Sequence, residues 1–340
     1  MPAFPLRSVI IITLTAALAG CPFQEKLETF SGPTQGSTYT VKYVAKGGAS
    51  IEQLKKETEE ILEEVDQQMS TYRADSVIET FNDLPSGACM AVPDGVRELV
   101  LAGEKLSQES DGAFDLTIEP LLNLWGFGPK GNGEKVPTEE QIAETKLNVG
   151  YRHLRIDGEK LCKDAAIEVD FNSVAAGYSV DAVAAHLKKS GIDSYLIEIT
   201  GELIAAGRKP DGSPWRIAIE APHDNERVAQ RVIELDGYGV STSGDYRNYF
   251  EQDGKRYSHT LDPQKGAPID HKLAAVTVFD RSTLRADGLS TVLMVLGQER
   301  GLAYAQERDI AAFFVIREGQ GFVSKSTAAF DEHFGAGAEK

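Results

Sequence analysis

The chain of 340 residues has few cysteines and few basic residues for its length, and both shortages restrict what it can be. Its three cysteines are too widely spaced for a cysteine-based metal site. Lysine and arginine number 35 against 52 aspartates and glutamates, which gives a formal net charge of -17. Because nucleic-acid-binding proteins present basic surfaces to the phosphate backbone, this balance argues against a nucleic-acid partner.

Long hydrophobic runs are also missing. The apolar run at residues 9–18 follows Arg7 and is too short for a good transmembrane helix, so we interpret residues 1–20 as a signal peptide. The run ends in Leu-Ala-Gly-Cys, which resembles a bacterial lipobox that would be lipidated at Cys21. A plain cleaved signal with an accidental cysteine is the alternative. We therefore predict a lipid anchor and a location on the periplasmic side of the bacterial envelope. Pro22 follows Cys21 where an aspartate would indicate the inner membrane, which favours the outer membrane.

Composition and compartment set the remaining limits. A hydrophobic content of 41% and a charged content of 26% are typical of a globular protein with a substantial core. Outside the cytoplasm Cys89 and Cys162 are free to form a disulfide, although the sequence leaves open whether they meet. The acidic balance also bears on ligands, because a carboxylate and a phosphate about 4 Å apart repel by roughly 4 kcal/mol at an effective dielectric near 20. A polyphosphate ligand would therefore require a divalent cation.

The chain after the signal is predicted to hold a tether at residues 21–33 and one folded domain at residues 34–335. Patterns typical of strands and helices are mixed without regular βαβ alternation, which predicts an α+β fold with mostly antiparallel sheets. Among the predicted elements are helices at 51–69 and 92–109, a helix from 286 to 296 with a second helix after it, and strands at 195–199, 215–220, 274–279 and 311–316.

One stretch in the middle of the domain combines a carboxylate with a helix start. Residues 165–171 alternate as a buried strand would, and apolar residues then recur at helical spacing over 174–187. Asp170 ends the predicted strand, and Asn172 and Ser173 are the predicted helix caps. A helix start with small side chains beside a carboxylate can hold a phosphate-bearing ligand or a metal. An ordinary strand, turn and helix is the alternative.

Six segments taken together, in this order, resemble the signatures of the ApbE family, the FAD:protein FMN transferases. They are MSTYRADS, DGAFDLTIEPLLNLWGFG, VDFNSVAAGYSVD, STSGDYRNYF, SHTLDPQKG and ADGLSTVL. The resemblance covers nearly all of the chain after the signal. It implies an ApbE-like, T-fold-like α+β fold of mixed, mostly antiparallel sheets with packed helices, and a flavin site in the cleft between subdomains.

The same resemblance implies two sets of site residues. The positions that would contact the flavin nucleotide are Gln35, Tyr72, Ala113, Phe114, Asp115, Asp170, Ala176 and Leu261. The magnesium site would be Ser173, Asp287 and Thr291. Asp287 and Thr291 are four residues apart on one helix face, and carboxylate and hydroxyl oxygens suit Mg²⁺. The structural alternative is that Asp287 caps its helix and Thr291 is a surface residue. Tyr72 is likewise either a flavin contact or a core aromatic.

The chain departs from the family's pattern at three positions. Gln35 stands where the family often has Met, Ala176 replaces a common Lys or Glu, and Thr200 replaces the first Gly of a glycine pair. These changes bear on ligand contacts more than on the fold. Ala176 matters most, because it lacks the side chain for a polar contact.

The family's activity implies a mechanism and partners. FMN moves from FAD to a Thr or Ser hydroxyl of an acceptor protein, and AMP is released. His259 is the candidate base because its ordinary pKa is near neutral; Asp287 is the other candidate, and a structural role for His259 remains open. The expected cofactor is Mg²⁺, and the expected acceptor is an extracytoplasmic redox subunit.

Three other functions remain open at this point. The same site could hydrolyse FAD to FMN and AMP, as a magnesium-dependent pyrophosphatase. The protein could bind flavin without catalysis, or be a structural envelope lipoprotein without a ligand.

Overall fold

The structure is a computed structural model that describes residues 25–46, 50–131, 133–221, 229–246 and 248–335. The predicted signal peptide and the predicted lipidation at Cys21 lie outside the described residues. No helix in these described ranges is long and apolar enough to cross a membrane.

The described residues form a mixture of helices and strands. The helices are α1 (Ile51–Met69), α2 (Val77–Asn82), α3 (Asp94–Glu109), α4 (Glu119–Trp125), α5 (Glu139–Thr145), α6 (Ala175–Lys189), α7 (Thr283–Glu307) and α8 (Ala328–Phe334). The strands are β1 (Lys26–Thr34), β2 (Ser37–Ala45), β3 (Cys89–Ala91), β4 (Leu154–Asp157), β5 (Lys160–Lys163), β6 (Tyr195–Ile199), β7 (Glu202–Ala206), β8 (Trp215–Glu220), β9 (Ala229–Leu235), β10 (Tyr238–Gly244), β11 (Tyr249–Gln252), β12 (Lys255–Ser258), β13 (Leu261–Asp262), β14 (Ala267–Pro268), β15 (Leu273–Asp280), β16 (Ala311–Glu318) and β17 (Gly321–Ser326).

The main sheet has eight strands in the order β1-β2-β6-β7-β10-β15-β16-β17, and its neighbouring strands pair antiparallel. One face of the sheet packs against α1, α6 and α7, whose apolar residues build two core clusters. The other face is covered by the hairpin β8–β9 and by α8. This layered arrangement confirms the predicted α+β fold with mostly antiparallel sheets.

The predicted tether is wrong from Lys26 onward, because residues 26–34 form the edge strand β1. It pairs with β2 along its whole length, and the turn between them is Gln35-Gly36, both with positive φ (45° and 72°). Two such residues match the twist of a tight hairpin. Phe30 anchors the strand, since its ring meets Tyr39 and Tyr43 edge to face with centroids 6.2 and 6.0 Å away. The folded domain therefore includes part of the predicted tether.

The stretch at residues 165–171 is not a sheet strand, although Ile167, Val169, Asp170 and Phe171 are buried. The side chain of Asn82 takes the place of a neighbouring strand: its Oδ1 accepts from the Val169 N–H (2.7 Å) and its Nδ2 donates to the Val169 carbonyl (3.0 Å). The Asp170 N–H donates to the Leu116 carbonyl at 2.8 Å. The predicted strand was therefore wrong, since the stretch joins no sheet, while the apolar residues Ile167, Val169 and Phe171 are buried as the alternation indicated.

The last long helix begins before the predicted start and bends where a break was predicted. Ser282 caps α7 by accepting from the Arg285 N–H, and Asp181 accepts from the Thr283 and Leu284 N–H groups. Gly297 has a φ of 78° inside α7, so the helix is two segments joined by a kink, as predicted. Because Ser282 is the cap, the alternative that Asp287 caps its own helix is excluded.

Cys89 and Cys162 form a disulfide, which the sequence had left open. They are direct partners in the β3–β5 ladder, and they are 73 residues apart in sequence. The bond ties the segment between α2 and α3 to the strand that leads into residues 165–171. It therefore supports the part of the chain that carries Asp170.

We expect loss of this disulfide to destabilise the fold strongly. Closing a loop of this length in the unfolded chain contributes about 4 kcal/mol in the chain-entropy model. The paired replacement Cys89→Ala with Cys162→Ala should lower the free energy of unfolding by about 2–4 kcal/mol, measured by urea unfolding. Reducing agent should lower the stability of the parent and leave the double variant unchanged; equal sensitivity of both would contradict the role of this bond.

Candidate active site

A cleft of about 1290 Å³ gathers most of the predicted site residues. Its lining includes Ala113, Phe114, Asp115, Asp170, Ser173, His259, Leu261, Asp287 and Thr291. These residues come from widely separated segments of the chain, and the fold brings them to one place. Nine of the site residues implied by the family resemblance therefore lie around one cleft.

Three predicted contact residues do not line this cleft. Gln35 is the first residue of the β1–β2 turn, and its Nε2 donates to Ser179 Oγ on α6 at 2.8 Å. Ala176 is half-buried in the first turn of α6. Tyr72 is 68% exposed. Partial burial raises the pKa of Tyr72, and the negative charge of the cleft residue Asp170 raises it further. Tyr72 is therefore a surface aromatic within electrostatic range of the cleft, and its flavin contact stays a prediction.

Asp287 lies in the second turn of α7 and caps a different helix. Its Oδ2 accepts from the Gly177 N–H at 3.0 Å, in the first turn of α6. The predicted caps Asn172 and Ser173 are wrong, because the cap position of α6 is Val174, which makes no side-chain bond. A Cβ at Gly177 would lie 2.5 Å from the Thr283 carbonyl oxygen, so only glycine lets the two helices approach this closely.

Glu202 is a second carboxylate beside Asp287 that no sequence motif indicated, and it is half-buried in the cleft. The Ser241 hydroxyl lies 3.3 Å from Asp287 Oδ1 and 3.4 Å from Glu202 Oε1. Because one hydroxyl has one hydrogen, it cannot donate to both carboxylates at once. Burial raises the pKa of Glu202 to about 7. Burial, followed by the charge of Glu202, raises the pKa of Asp287 well above its ordinary value.

The two carboxylates make a centre suited to a divalent cation. The largest influences on their two pKa values are burial, hydrogen bonds and neighbouring carboxylates, and no cationic side chain is among them. Nor do these residues contain a group of three or more His, Cys, Asp or Glu that could hold a metal alone. Mg²⁺ commonly takes one or two carboxylates and obtains its other ligands from water and substrate phosphate. Asp287 with the hydroxyls of Ser173 and Thr291 fits that pattern.

Serine hydroxyls extend the network around Asp287. Ser290 Oγ donates to the Asp287 carbonyl at 2.9 Å, and it lies 3.2 Å from Ser241 Oγ and 2.7 Å from Ser243 Oγ. The sequence showed a hydroxyl-rich segment here but no pattern that linked it to Glu202. These bonds fix the side chains that surround the predicted metal site.

His259 lines the same cleft in an orientation that suits a base. Its Nδ1 lies 2.9 Å from the Asn248 carbonyl oxygen, which can only accept, so Nδ1 carries the hydrogen and Nε2 is left with a lone pair. Burial lowers the pKa of His259 below its ordinary 6.5. The ring of Phe127 meets it edge to face, with centroids 6.5 Å apart. The imidazole is therefore neutral and oriented at neutral pH.

Asp115 and Asp170 line the cleft, but their carboxylates organise the surrounding backbone. Asp115 accepts from the Thr117 N–H and hydroxyl (2.8 and 2.7 Å) and from the Tyr151 N–H (2.9 Å). Asp170 accepts from the backbone and side-chain amides of Asn172, at 2.6 and 2.8 Å. Burial raises the pKa of Asp170 to about 6. Both residues therefore shape the wall of the cleft.

Glu119 lies behind this wall and gives the fold a pH dependence. It is fully buried on α4, and its Oε2 accepts from Asn82 Nδ2, which also donates to Glu79. Burial, followed by the charges of Asp170 and Glu79, raises the pKa of Glu119 from 4.5 to about 8. Lys130 Nζ, 2.8 Å from Glu79 and 3.9 Å from Glu119, offsets only part of this effect.

We expect the free energy of unfolding to fall as pH rises from 4.5 to about 8, because folded Glu119 holds a proton that the unfolded chain has lost. Glu119→Gln should remove the part of this slope that Glu119 contributes and stabilise the protein at pH 8, while Asp170, Glu202 and Asp287 keep their own contributions. Urea unfolding at a series of pH values measures it, and Glu104→Gln on the surface of α3 is the matched control. An unchanged slope in Glu119→Gln would contradict the raised pKa.

Comparison with known proteins agrees with this geometry. The model of the ApbE family matches residues 35–314. The FAD:protein FMN transferase of Vibrio cholerae is 44% identical over 315 residues, covering 92% of this chain and 94% of that protein. The one from Haemophilus influenzae is 40% identical over 334 residues, covering 96% of each. The apo structure of Pseudomonas stutzeri flavinyl transferase ApbE superposes with a TM-score of 0.88 at 67% identity, covering 93% of this chain and 99% of that one. The chain belongs to the ApbE family.

Proposed function

We propose that this chain is an enzyme that transfers FMN from FAD to a Thr or Ser hydroxyl of an acceptor protein. The observation that carries the proposal is the cleft itself, in which Asp287, Glu202 and the neutral imidazole of His259 line one space. The relatives named FAD:protein FMN transferase support the substrate and the reaction.

The chemistry follows from these groups. The acceptor's hydroxyl oxygen forms a bond to the FMN-side phosphorus of FAD, and the bond from that phosphorus to the AMP oxygen breaks. His259 Nε2 takes the hydroxyl proton, and AMP leaves. Asp170 and Asp115 keep the cleft wall in place through their bonds to Asn172, Thr117 and Tyr151. Positioning and charge stabilisation account for most of the catalysis in phosphoryl transfer.

Mg²⁺ would be held by Asp287, Thr291 and Ser173, and it would neutralise the diphosphate. The neighbouring carboxylates Asp287 and Glu202, whose pKa values are both raised, support this part of the proposal. Without a cation, the same carboxylates would repel the diphosphate of FAD.

We also propose a lipid anchor at Cys21 and a place on the periplasmic side of the envelope. The segment at residues 18–21 supports the anchor. An acceptor in the same compartment follows from it, with an extracytoplasmic redox subunit as the expected class. Mass spectrometry of the N-terminal peptide from the membrane fraction tests the anchor, and an unmodified Cys21 would contradict it.

The reaction is tested by measuring AMP release from FAD with the full-length chain in detergent and Mg²⁺. The acceptor probe is a pool of synthetic peptides of about ten residues, each with one fixed central threonine and randomised flanks. AMP should form only with the peptides, which should gain the mass of FMN. AMP without peptide would mean a pyrophosphatase, and bound flavin without AMP would mean a non-catalytic flavin carrier.

A further inference from the structure

The cleft is larger than one dinucleotide needs and continues past Asp287. Pockets for a single small ligand measure about 300–1,000 Å³, and this cleft measures about 1290 Å³. Its further part runs between one face of the main sheet and the hairpin β8–β9. We call this part the β8 groove; it is lined by Thr38, Thr40, Lys42 and Glu198 on the sheet and by residues 215–220 of β8.

The pattern of lining residues shows how the groove is oriented. From Thr38 to Lys42 every second residue of β2 lines it, so this wall is the face of the main sheet. On β8 six consecutive residues line it. Because neighbouring side chains of a strand point to opposite faces, a space that touches six in a row must run along the edge of that strand.

No described strand pairs with that edge of β8 over Trp215–Ile219. Within the described part of the chain β8 pairs with β9 alone, through its opposite edge. An edge without a partner presents a row of backbone N–H and C=O groups, which is a template for another extended chain. The five residues Trp215–Ile219 span about 17 Å, which is the length of an ordinary recognition strand.

We propose that the β8 groove receives the acceptor protein as an extended segment that pairs with the free edge of β8. This inference rests on the proposed function, because the acceptor hydroxyl must reach the same phosphorus that Asp287 and His259 surround. The groove joins the rest of the cleft at Gly201 and Glu202, so a segment in it leads to Ser241 and Asp287. The sheet wall combines threonines, Lys42 and Glu198 with Leu196 and Leu203, so it suits a strand that carries both polar and apolar side chains.

Filling the groove from its sheet wall tests the proposal on the protein side. In Thr40→Trp the indole would occupy the space of the incoming strand, so KM for the threonine peptide pool should rise by about tenfold or more. The affinity for FAD should stay unchanged, since β6 and β7 separate Thr40 on β2 from Ser241 on β10, the strand beside Asp287. Val232→Trp is the control: Val232 lies on β9, is 60% exposed and does not line the cleft. An unchanged KM in Thr40→Trp would overturn the proposal, as would a matching loss of FAD affinity, which would place FAD in the groove.

A second measurement changes the peptides and leaves the protein unmodified. Peptides with N-methyl groups on alternate residues beside the threonine keep the hydroxyl but cannot pair as a strand. They should be labelled at least about tenfold more slowly than the unmethylated pool. Equal labelling would overturn strand pairing. No labelling of the unmethylated pool by the unmodified chain would instead contradict the proposed function, and the β8 groove proposal with it.

Discussion

Asp287→Asn should lower the rate of FMN transfer by about a thousandfold or more, because it removes the carboxylate charge at the predicted magnesium site. The same change should leave the fold intact or make it more stable. The asparagine oxygen can still accept from the Gly177 N–H, and the amide can donate to Ser241 Oγ. Loss of the charge also removes a buried carboxylate that is repelled by Glu202.

The pH dependence of stability provides an independent check of Asp287. Its pKa is raised in the folded protein, so the free energy of unfolding of the metal-free protein falls as pH rises above 3.8. Asp287→Asn should reduce this slope, as urea unfolding at a series of pH values would show. In the parent, Mg²⁺ with FAD should raise the melting temperature, and the variant should lose that shift.

Asp181→Asn is the matched control. Asp181 is a carboxylate that caps α7 by accepting from the Thr283 and Leu284 N–H groups, and it does not line the cleft. Its replacement should lower stability by about 1 kcal/mol and preserve transfer. If Asp287→Asn instead lost stability and kept its activity, the carboxylate would be structural and the magnesium site would lie elsewhere.

Local patterns in the sequence were enough to predict most of the regular elements. The helix at residues 51–69 and the strands at 195–199 and 215–220 were predicted with the bounds that the structure has. Their apolar residues recur with the period of the element, because each buries one side against the core. β1 was not predicted, because it is an edge strand in which only Phe30 is buried and no alternation of apolar residues is visible. The stretch at 165–171 met the test yet forms no ladder, because Asn82 satisfies its backbone.

Only those site residues that lie in a recognisable sequence motif could be predicted. The resemblance to the ApbE family gave Asp287, Thr291 and His259, and the fold brings them to one cleft. It did not give Glu202, whose partner Ser241 is 39 residues away in sequence. Contacts of this kind depend on the order of strands in the sheet, where β7 lies beside β10. Local sequence patterns do not indicate the order of strands in a sheet, so the proximity of Asp287 and Glu202 could be seen only in the structure.

His259→Gln should lower the rate of FMN transfer by about 10²- to 10⁴-fold, the usual contribution of a positioned base. The Asn248 carbonyl holds Nδ1–H, so Nε2 is the atom that takes the proton. Affinity for FAD should change little, because the loss affects the proton transfer. If Asp287 were the base instead, His259→Gln would keep most of its activity.

The pH profile of transfer distinguishes a base from a structural histidine. Burial lowers the pKa of His259, so at saturating Mg²⁺, which keeps Asp287 ionised, the rate of the parent should fall as pH drops below 6.5, where the imidazole becomes protonated. This acid limb should disappear from the residual activity of His259→Gln. His271→Gln is the matched control, because burial also lowers the pKa of His271 and its Nε2 contacts the Met294 carbonyl, yet it does not line the cleft. That variant should keep both its rate and its acid limb. An acid limb that persists in His259→Gln would show that another group takes the acceptor's proton.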